Sequence, residues 1–236
     1  MTVVLGFDTA TAATAVALVT GDVELEARDD PEPGARPRHT ARLLAQAREL
    51  LARAGLAFAD VERVAVGTGP GSFTGLRIGV ATARALAYAT GAPVAGVSTL
   101  EALAHTPEPP PPGTLVLAVV DARRGEVFAA GWRDGEPVLR PRAMSPTELA
   151  ELAEGGGARA RRPWLAVGDG AVRFREALVQ AGVTVPAPDS PAHRVSAVTV
   201  CRLGAAADPA PHRAVVPDYL RLPDAEEALR ARSERS

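Results

Sequence analysis

Apolar positions recur along this chain with two different periods, and the switches between them mark out its elements. "VVLGFDT" (residues 3–9) is a continuous apolar run that predicts a buried strand ending at Asp8 and Thr9. "TAVALVTG" predicts a second strand, and the alternation of "VELEARD" predicts a third, exposed one. The charged, proline-rich stretch from Asp29 to Arg38 reads as a loop. From His39 to Ala54 the period becomes helical. Leu43, Leu44, Ala47, Leu50, Leu51 and Ala54 share one stripe, with Arg42, Gln46, Glu49 and Arg53 opposite. Gly55 supplies a stop. "RVAVGTG" predicts a fourth strand, and a glycine-rich loop then opens a second helix reaching about Thr90. "PVAGVS" predicts a fifth strand, and "TLEALAH" starts a third helix.

The proline run in "TPEPPPPG" (Thr106 to Gly113) predicts a stiff, extended joint. After it the pattern begins again. "LVLAVVD" predicts a strand ending at Asp121, and "GEVFAAGW" and "EPVLRPR" predict two more, split by a turn at Asp134-Gly135. Ser145-Pro146-Thr147-Glu148 is a capping box with proline at the first helical position. "PWLAVGDG" predicts a further strand, and "RFREALVQAG" and "SAVTVCRLGAAA" read as helical.

Two correspondences point to an internal repeat. The first strand of each half ends in aspartate, Asp8 and Asp121. The fourth ends in a near-copy, Ala65-Val66-Gly67-Thr68-Gly69 against Ala166-Val167-Gly168-Asp169-Gly170. Strand-strand-strand-helix-strand-helix, written twice, predicts an α/β protein of two mixed-sheet lobes facing a cleft. The lobes are expected at residues 1–107 and 113–236, with the last segment packing back on the first lobe.

Composition narrows the function classes. Hydrophobic residues make up 47% and charged residues 23%, as in ordinary globular domains. No apolar run is long enough for a membrane span, and the N-terminus lacks a basic region of the signal-peptide kind, so cytoplasm is the expected compartment. The net charge of −2 argues against a chain that grips nucleic acid by itself. Cys201 is the only cysteine, and every one of the 26 basic residues is arginine.

That last fact bears on "GTGPGSFTGLRIGVATA", from Gly67 to Ala83. A P-loop needs a lysine that reaches the phosphates. This chain has none, and its glycine spacing differs as well. Two readings remain. Backbone N–H groups of Gly71, Ser72 and Phe73 could cradle an anion. Alternatively, Ser72 or Thr74 caps the helix and the glycines permit a tight turn. Farther along, Gly75, Gly79, Ala83 and Ala87 recur every fourth residue and leave one helix face nearly bare. Such a face packs closely, either on the chain's own sheet or on a partner helix. Asp8-Thr9-Ala10-Thr11 is either a phosphate-facing turn or a plain hairpin turn. His39, His105, His193 and His212 lack zinc-type spacing, and there is no Gly-x-Ser-x-Gly elbow. Asp121-Ala122-Arg123-Arg124-Gly125-Glu126 reads as a charged hairpin that could also hold a catalytic carboxylate.

Together "FDTATAATAVAL", "RHTARLL", "VAVGTGPGSFTGLRIGVATARALA", "PVAGVSTLEALA", "VVDARRGEVFAA" and the late "PDYLR" resemble the TsaB (YeaZ) family. The match covers most of the chain and is loose from about Glu136 to Arg213. The resemblance implies a duplicated actin-like (ASKHA) fold. It implies a non-catalytic scaffold that binds and organises TsaD in forming N6-threonylcarbamoyladenosine at position 37 of tRNAs reading ANN codons. The family looks like a degenerate paralogue of TsaD, whose two metal-binding histidines align here with Thr99 and Leu103. No metal and no cofactor are then expected on this chain, ATP being used by the wider complex. The resemblance further implies a homodimer when alone, TsaE docking on the TsaB–TsaD pair, and contact with tRNA through the complex. The implied partner-binding residues are His39, Leu43, Ala47, Leu50, Phe73, Gly75, Leu76, Gly79 and Ala83. Asp8, Thr9, Thr11, Gly69, Gly71 and Ser72 would be a vestigial nucleotide site. The competing readings are an ASKHA phosphotransferase or hydrolase and a glycoprotease-type peptidase.

Overall fold

The computed structural model describes residues 2–32, 34–105, 110–158 and 163–221. Two sheets organise it. The first has the order β3 (Val23–Asp29), β2 (Thr14–Thr20), β1 (Val3–Asp8), β4 (Arg63–Gly69), β5 (Val94–Ser98). The second has the order β8 (Glu136–Met144), β7 (Glu126–Arg133), β6 (Leu115–Arg123), β9 (Trp164–Val167). In both, the first three strands of the half form an antiparallel meander and the fourth returns parallel to the first. β5 extends the first sheet in parallel, and a lone parallel bridge between Leu165 and Thr184 stands in the matching place of the second. This is the duplicated, mixed-sheet arrangement that the repeated sequence pattern predicts, and it agrees with the actin-like fold that the family resemblance implies.

Among the described residues, seven α-helices complete the layers. α1 (His39–Arg53) and α2 (Phe73–Thr90) cover the outer face of the first sheet. There Leu43, Ala47, Leu50, Leu51, Val80 and Ala83 meet Leu5, Phe7, Val16, Leu18, Val64 and Val66. α4 (Pro146–Ala153), α5 (Asp169–Arg173) and α6 (Arg175–Gln180) cover the outer face of the second. Between the sheets lie α3 (Thr99–Ala104) and α7 (Ala197–Ala206). They cross over: α3, from the first half, rests on β6 and β7, and α7, from the second, rests on β1, β2 and β4. α7 approaches so closely that a Cβ on Gly6 would stand 2.5 Å from the Cys201 sulfur, and one on Gly204 2.4 Å from the Ala65 Cβ.

Local chemistry sets the element ends. Gly55 (φ 70°) ends α1 and Gly91 (φ 76°) ends α2, in the left-handed conformation glycine adopts readily. The Ser145–Glu148 capping box forms reciprocally at 3.2 and 2.7 Å. Asp29, at the end of β3, takes ion pairs from Arg38 and Arg42 and so pins the start of α1. Two expectations shift. Leu44 leaves the apolar stripe and is 47% exposed, while Gln46 is buried. Helical structure after β9 begins earlier, at Asp169, because Gly168 (φ 108°) turns the chain directly off the strand. Part of the proline joint, residues 106–109, falls outside the described residues.

Candidate functional site at the strand ends

Asp8 ends β1 beneath the protein surface, with 1% exposure. One carboxylate oxygen accepts from the Ala10 backbone N–H at 2.8 Å, and the other accepts from the Thr99 hydroxyl at 2.7 Å. The Thr99 oxygen in turn accepts from the Gly69 N–H at 3.2 Å. Three chain segments are thus joined through one buried carboxylate. Gly67 makes room for it: a Cβ there would stand 1.9 Å from the Asp8 carboxylate. Burial pushes the Asp8 pKa above its ordinary value, against the Thr99 and Ala10 hydrogen bonds and the more distant Arg28 charge.

The glycine-rich loop closes on the same place. The Ser72 N–H donates to the Ala10 carbonyl at 2.7 Å, so one of the three N–H groups available to an anion is already used. The Ser72 hydroxyl caps α2 by accepting from the Gly75 N–H at 3.3 Å. Thr9 donates its hydroxyl to the Gly75 carbonyl at 2.7 Å. A Cβ on Gly71 would meet the Ala10 carbonyl at 2.3 Å, one on Gly75 the Thr9 carbonyl at 1.9 Å, and one on Gly79 the Thr9 hydroxyl at 2.5 Å. The bare face of α2 therefore exists to receive the turn between β1 and β2.

This corrects the expected docking residues. His39, Leu43, Ala47, Leu50, Gly75, Leu76, Gly79 and Ala83 are all buried within the chain's own core, because the apolar stripes of α1 and α2 both turn toward the first sheet. None of these eight is presented outward. His39 meets the Thr14 hydroxyl at 2.9 Å through Nδ1, and its Nε2 has no hydrogen-bond partner among the described residues. Burial holds the His39 pKa below its usual value, against the opposing pull of Asp29. Only Phe73 reaches the surface: it is half-buried, with Tyr219 at 5.1 Å and the Arg77 guanidinium 3.7 Å above its ring. The residues facing outward include instead Ala41, Leu44, Ala45 and Arg48 on α1, among Arg42, Glu49 and Arg53, and Ala81, Ala85 and Tyr88 on α2, with Ile78 half-buried.

The second lobe treats the matching position differently. Asp121 pairs with Arg173 at 2.7 Å and with Arg123 at 3.6 Å. Its N–H donates to Asp169 at 3.0 Å. Asp169 opens onto the space between the lobes yet sits low among protein atoms. That desolvation raises its pKa, with the Asp121 N–H opposing and the Asp121 charge adding. Arg123 and Arg124 form the tip of the β6–β7 hairpin, both with positive φ. Behind the hairpin, His193 accepts from the Gly168 N–H through Nδ1 at 3.1 Å, which leaves Nε2–H to donate to the Pro186 carbonyl at 3.1 Å.

Between the lobes lies a cleft of about 420 Å³. Thr11, Gly71 and Ser72 line it, whereas Asp8, Thr9 and Gly69, predicted beside them, are sealed behind its wall. Sequence reasoning missed Arg173 and the tail residues Asp218 to Arg221 as parts of this region. Asp169 carried a signal, since it stands where the repeat has Thr68. Thr99 and Leu103 do not fit a metal ion. The Thr99 hydroxyl is committed to Asp8 and Gly69, and Leu103 is packed in the core against Gly168. No helix among the described residues is long and apolar enough to cross a membrane.

Comparison with known proteins gives a consistent picture. A family model described as "TsaD: tRNA N6-adenosine threonylcarbamoyltransferase" matches residues 31–229. The chain is 35% identical over 173 residues to the tRNA threonylcarbamoyladenosine biosynthesis protein TsaB of Escherichia coli, covering 71% of each. It is 40% identical over 153 residues to the uncharacterized protein ML0378 of Mycobacterium leprae. That match takes in 63% of this chain and spans only 40% of ML0378. Among solved structures, a Pseudomonas aeruginosa protein described as uncharacterized with similarity to peptidase YEAZ superposes with a TM-score of 0.75 at 30% identity. It covers 94% of this chain and 100% of that one.

Proposed function

Because this chain belongs to the TsaB (YeaZ) family, we propose that it works in tRNA threonylcarbamoyladenosine biosynthesis as a subunit without transfer chemistry of its own, organising TsaD. The observation that carries this reading is the buried Asp8–Thr99–Gly69 linkage. Thr99, one of the two positions that the resemblance aligns with the metal-binding histidines of TsaD, is committed there to Asp8 and Gly69. A strand end closed in this way positions backbone; it presents no group to a substrate.

The docking surface in this reading is the outward face of α1 and α2, not the buried stripe. Leu44 (47% exposed) and Tyr88 (78% exposed) flank a field of alanines that allows another helix to come close. The same face would pair two copies of the chain in the absence of TsaD. ATP is consumed by the wider assembly, TsaE docks on the pair, and tRNA is held through the complex.

Reconstituted tRNA modification, with TsaD and its helpers present, tests this. Omitting the chain is expected to abolish modification. Ala81→Arg is expected to weaken TsaD binding by at least tenfold while leaving unfolding within about 0.5 kcal/mol of wild type, as for other surface changes. Full modification without the chain overturns the proposal. A nucleotide-binding reading is favoured by one feature, the cleft where Thr11, Gly71 and Ser72 face Arg123 and Arg124. Titration of the isolated chain with Mg-ATP, read by calorimetry and by turnover, separates the two.

A further inference from the structure

The chain after α7 does not trail away. Ala210 pairs with Val94 on the edge strand β5, and Arg84 of α2 donates to the Val215 carbonyl at 2.9 Å. Val215 is buried over Gly96, and the Asp218 N–H donates to the Thr68 carbonyl at 2.7 Å, beside the end of β4. Tyr219 packs against Phe73 with the rings tilted by 37° and accepts from Arg77 at 3.3 Å. Two residues later the chain has crossed to the other lobe, where Arg221 pairs with Glu126 at 2.5 Å and donates to the Ala122 carbonyl at 3.0 Å. Both acceptors belong to the β6–β7 hairpin. Asp218 to Arg221 thus wall the cleft on one side while bridging its two banks.

We propose that residues 217–221 are an intramolecular latch that fixes the separation of the two lobes and restricts entry to the cleft. Its root is hydrogen-bonded and packed along the first lobe, whereas its polar hold on the hairpin runs through Arg221, beside Leu220 packed against the core between the sheets. Release therefore starts at Arg221. The hairpin that it holds carries Arg123 and Arg124 at the cleft mouth, so opening moves the charged bank away from the N-terminus of α2. The contact is a partly buried ion pair, with the Arg221 side chain 21% and the Glu126 side chain 42% exposed, so salt weakens it only in part.

Hydrogen exchange on the full chain tests this. Arg221→Ala is expected to speed exchange about tenfold at the hairpin amides 122–126 and at residues 71–74, with α4 and the interior of α1 unchanged. High salt is expected to move wild type toward the variant and to leave the variant where it is. The exchanged pair Arg221→Glu with Glu126→Arg is expected to restore part of the protection, since it remakes the ion pair but not the hydrogen bond to the Ala122 carbonyl. Protection unchanged in Arg221→Ala, acceleration spread evenly over both lobes, or no recovery in the exchanged pair would each overturn the latch.

Discussion

The two halves of this chain place an aspartate at the same point of the same topology and use it in opposite ways. Asp8 is dry, held by two neutral donors, and roofed by a glycine that cannot become alanine without striking it. Asp121 is held by two guanidiniums at the edge of the cleft. A buried carboxylate with neutral partners costs stability at neutral pH and is tolerated where it fixes geometry. A carboxylate only 9% exposed but paired with two guanidiniums that reach solvent has its charge offset and lines the cleft between the lobes. A duplicated framework thus fixes positions, and the chemistry at each position follows from what the neighbouring segments bring to it.

The comparison can be broken most severely at the first lobe's contact with α2. Gly75→Ala drives a methyl group against the Thr9 carbonyl, and a loss of about 3 kcal/mol or more is expected in denaturant unfolding. A fully stable variant would mean that the turn between β1 and β2 can move away. Next comes Thr99→Val, which keeps the shape and removes the hydroxyl. It leaves the Asp8 oxygen and the Gly69 N–H unpaired, for an expected cost of about 1–3 kcal/mol by the same measurement.

The third expected effect depends on pH. The folded Asp8 pKa lies above its ordinary value of 3.8. The stability it contributes is therefore fully present below that value and is lost as pH rises through the folded pKa. Asp8→Asn removes this dependence, so wild type should lose ground against the variant with rising pH. A difference that stays flat across the acid range would contradict the raised pKa. Smallest of all, Arg173→Gln in the second lobe should change stability by less than about 1 kcal/mol, because Arg173 is half exposed and Arg123 also faces Asp121. A cost equal to that of Thr99→Val would erase the distinction between the lobes.

Much of the framework could be read from residue order. Apolar runs ending in Asp8 and Asp121, with the near-copies at the ends of β4 and β9, are consequences of one topology used twice, and a repeat in sequence is direct evidence of it. The direction in which the bare face of α2 points could not be read. A helical period shows that Gly75, Gly79 and Ala83 share a side. It does not show that the Thr9 carbonyl, far away in the chain, comes to fill that side. For α1 the polar Gln46 and apolar Leu44 exchanged places because a stripe inferred from the helical period has soft edges. The crossing of α3 into the middle layer had a signal in the sequence. Thr99, Leu100, Ala102, Leu103 and Ala104 are apolar or small nearly all round, which suits a helix covered on both sides. The tail's passage over the cleft had none beyond "PDYLR" itself, since its partners, the Thr68 and Ala122 carbonyls, the Phe73 ring and the Glu126 carboxylate, are scattered along the chain.

The claim at the centre is that the buried carboxylate of the first lobe holds structure and does not act on substrate. The most direct measurement is the rate of tRNA modification by the reconstituted complex containing Asp8→Asn, whose amide can accept from Ala10 and donate to Thr99. The account predicts a rate equal to wild type when the variant is folded and bound. A collapse of the rate with folding and TsaD binding intact would make Asp8 a reacting group and contradict it.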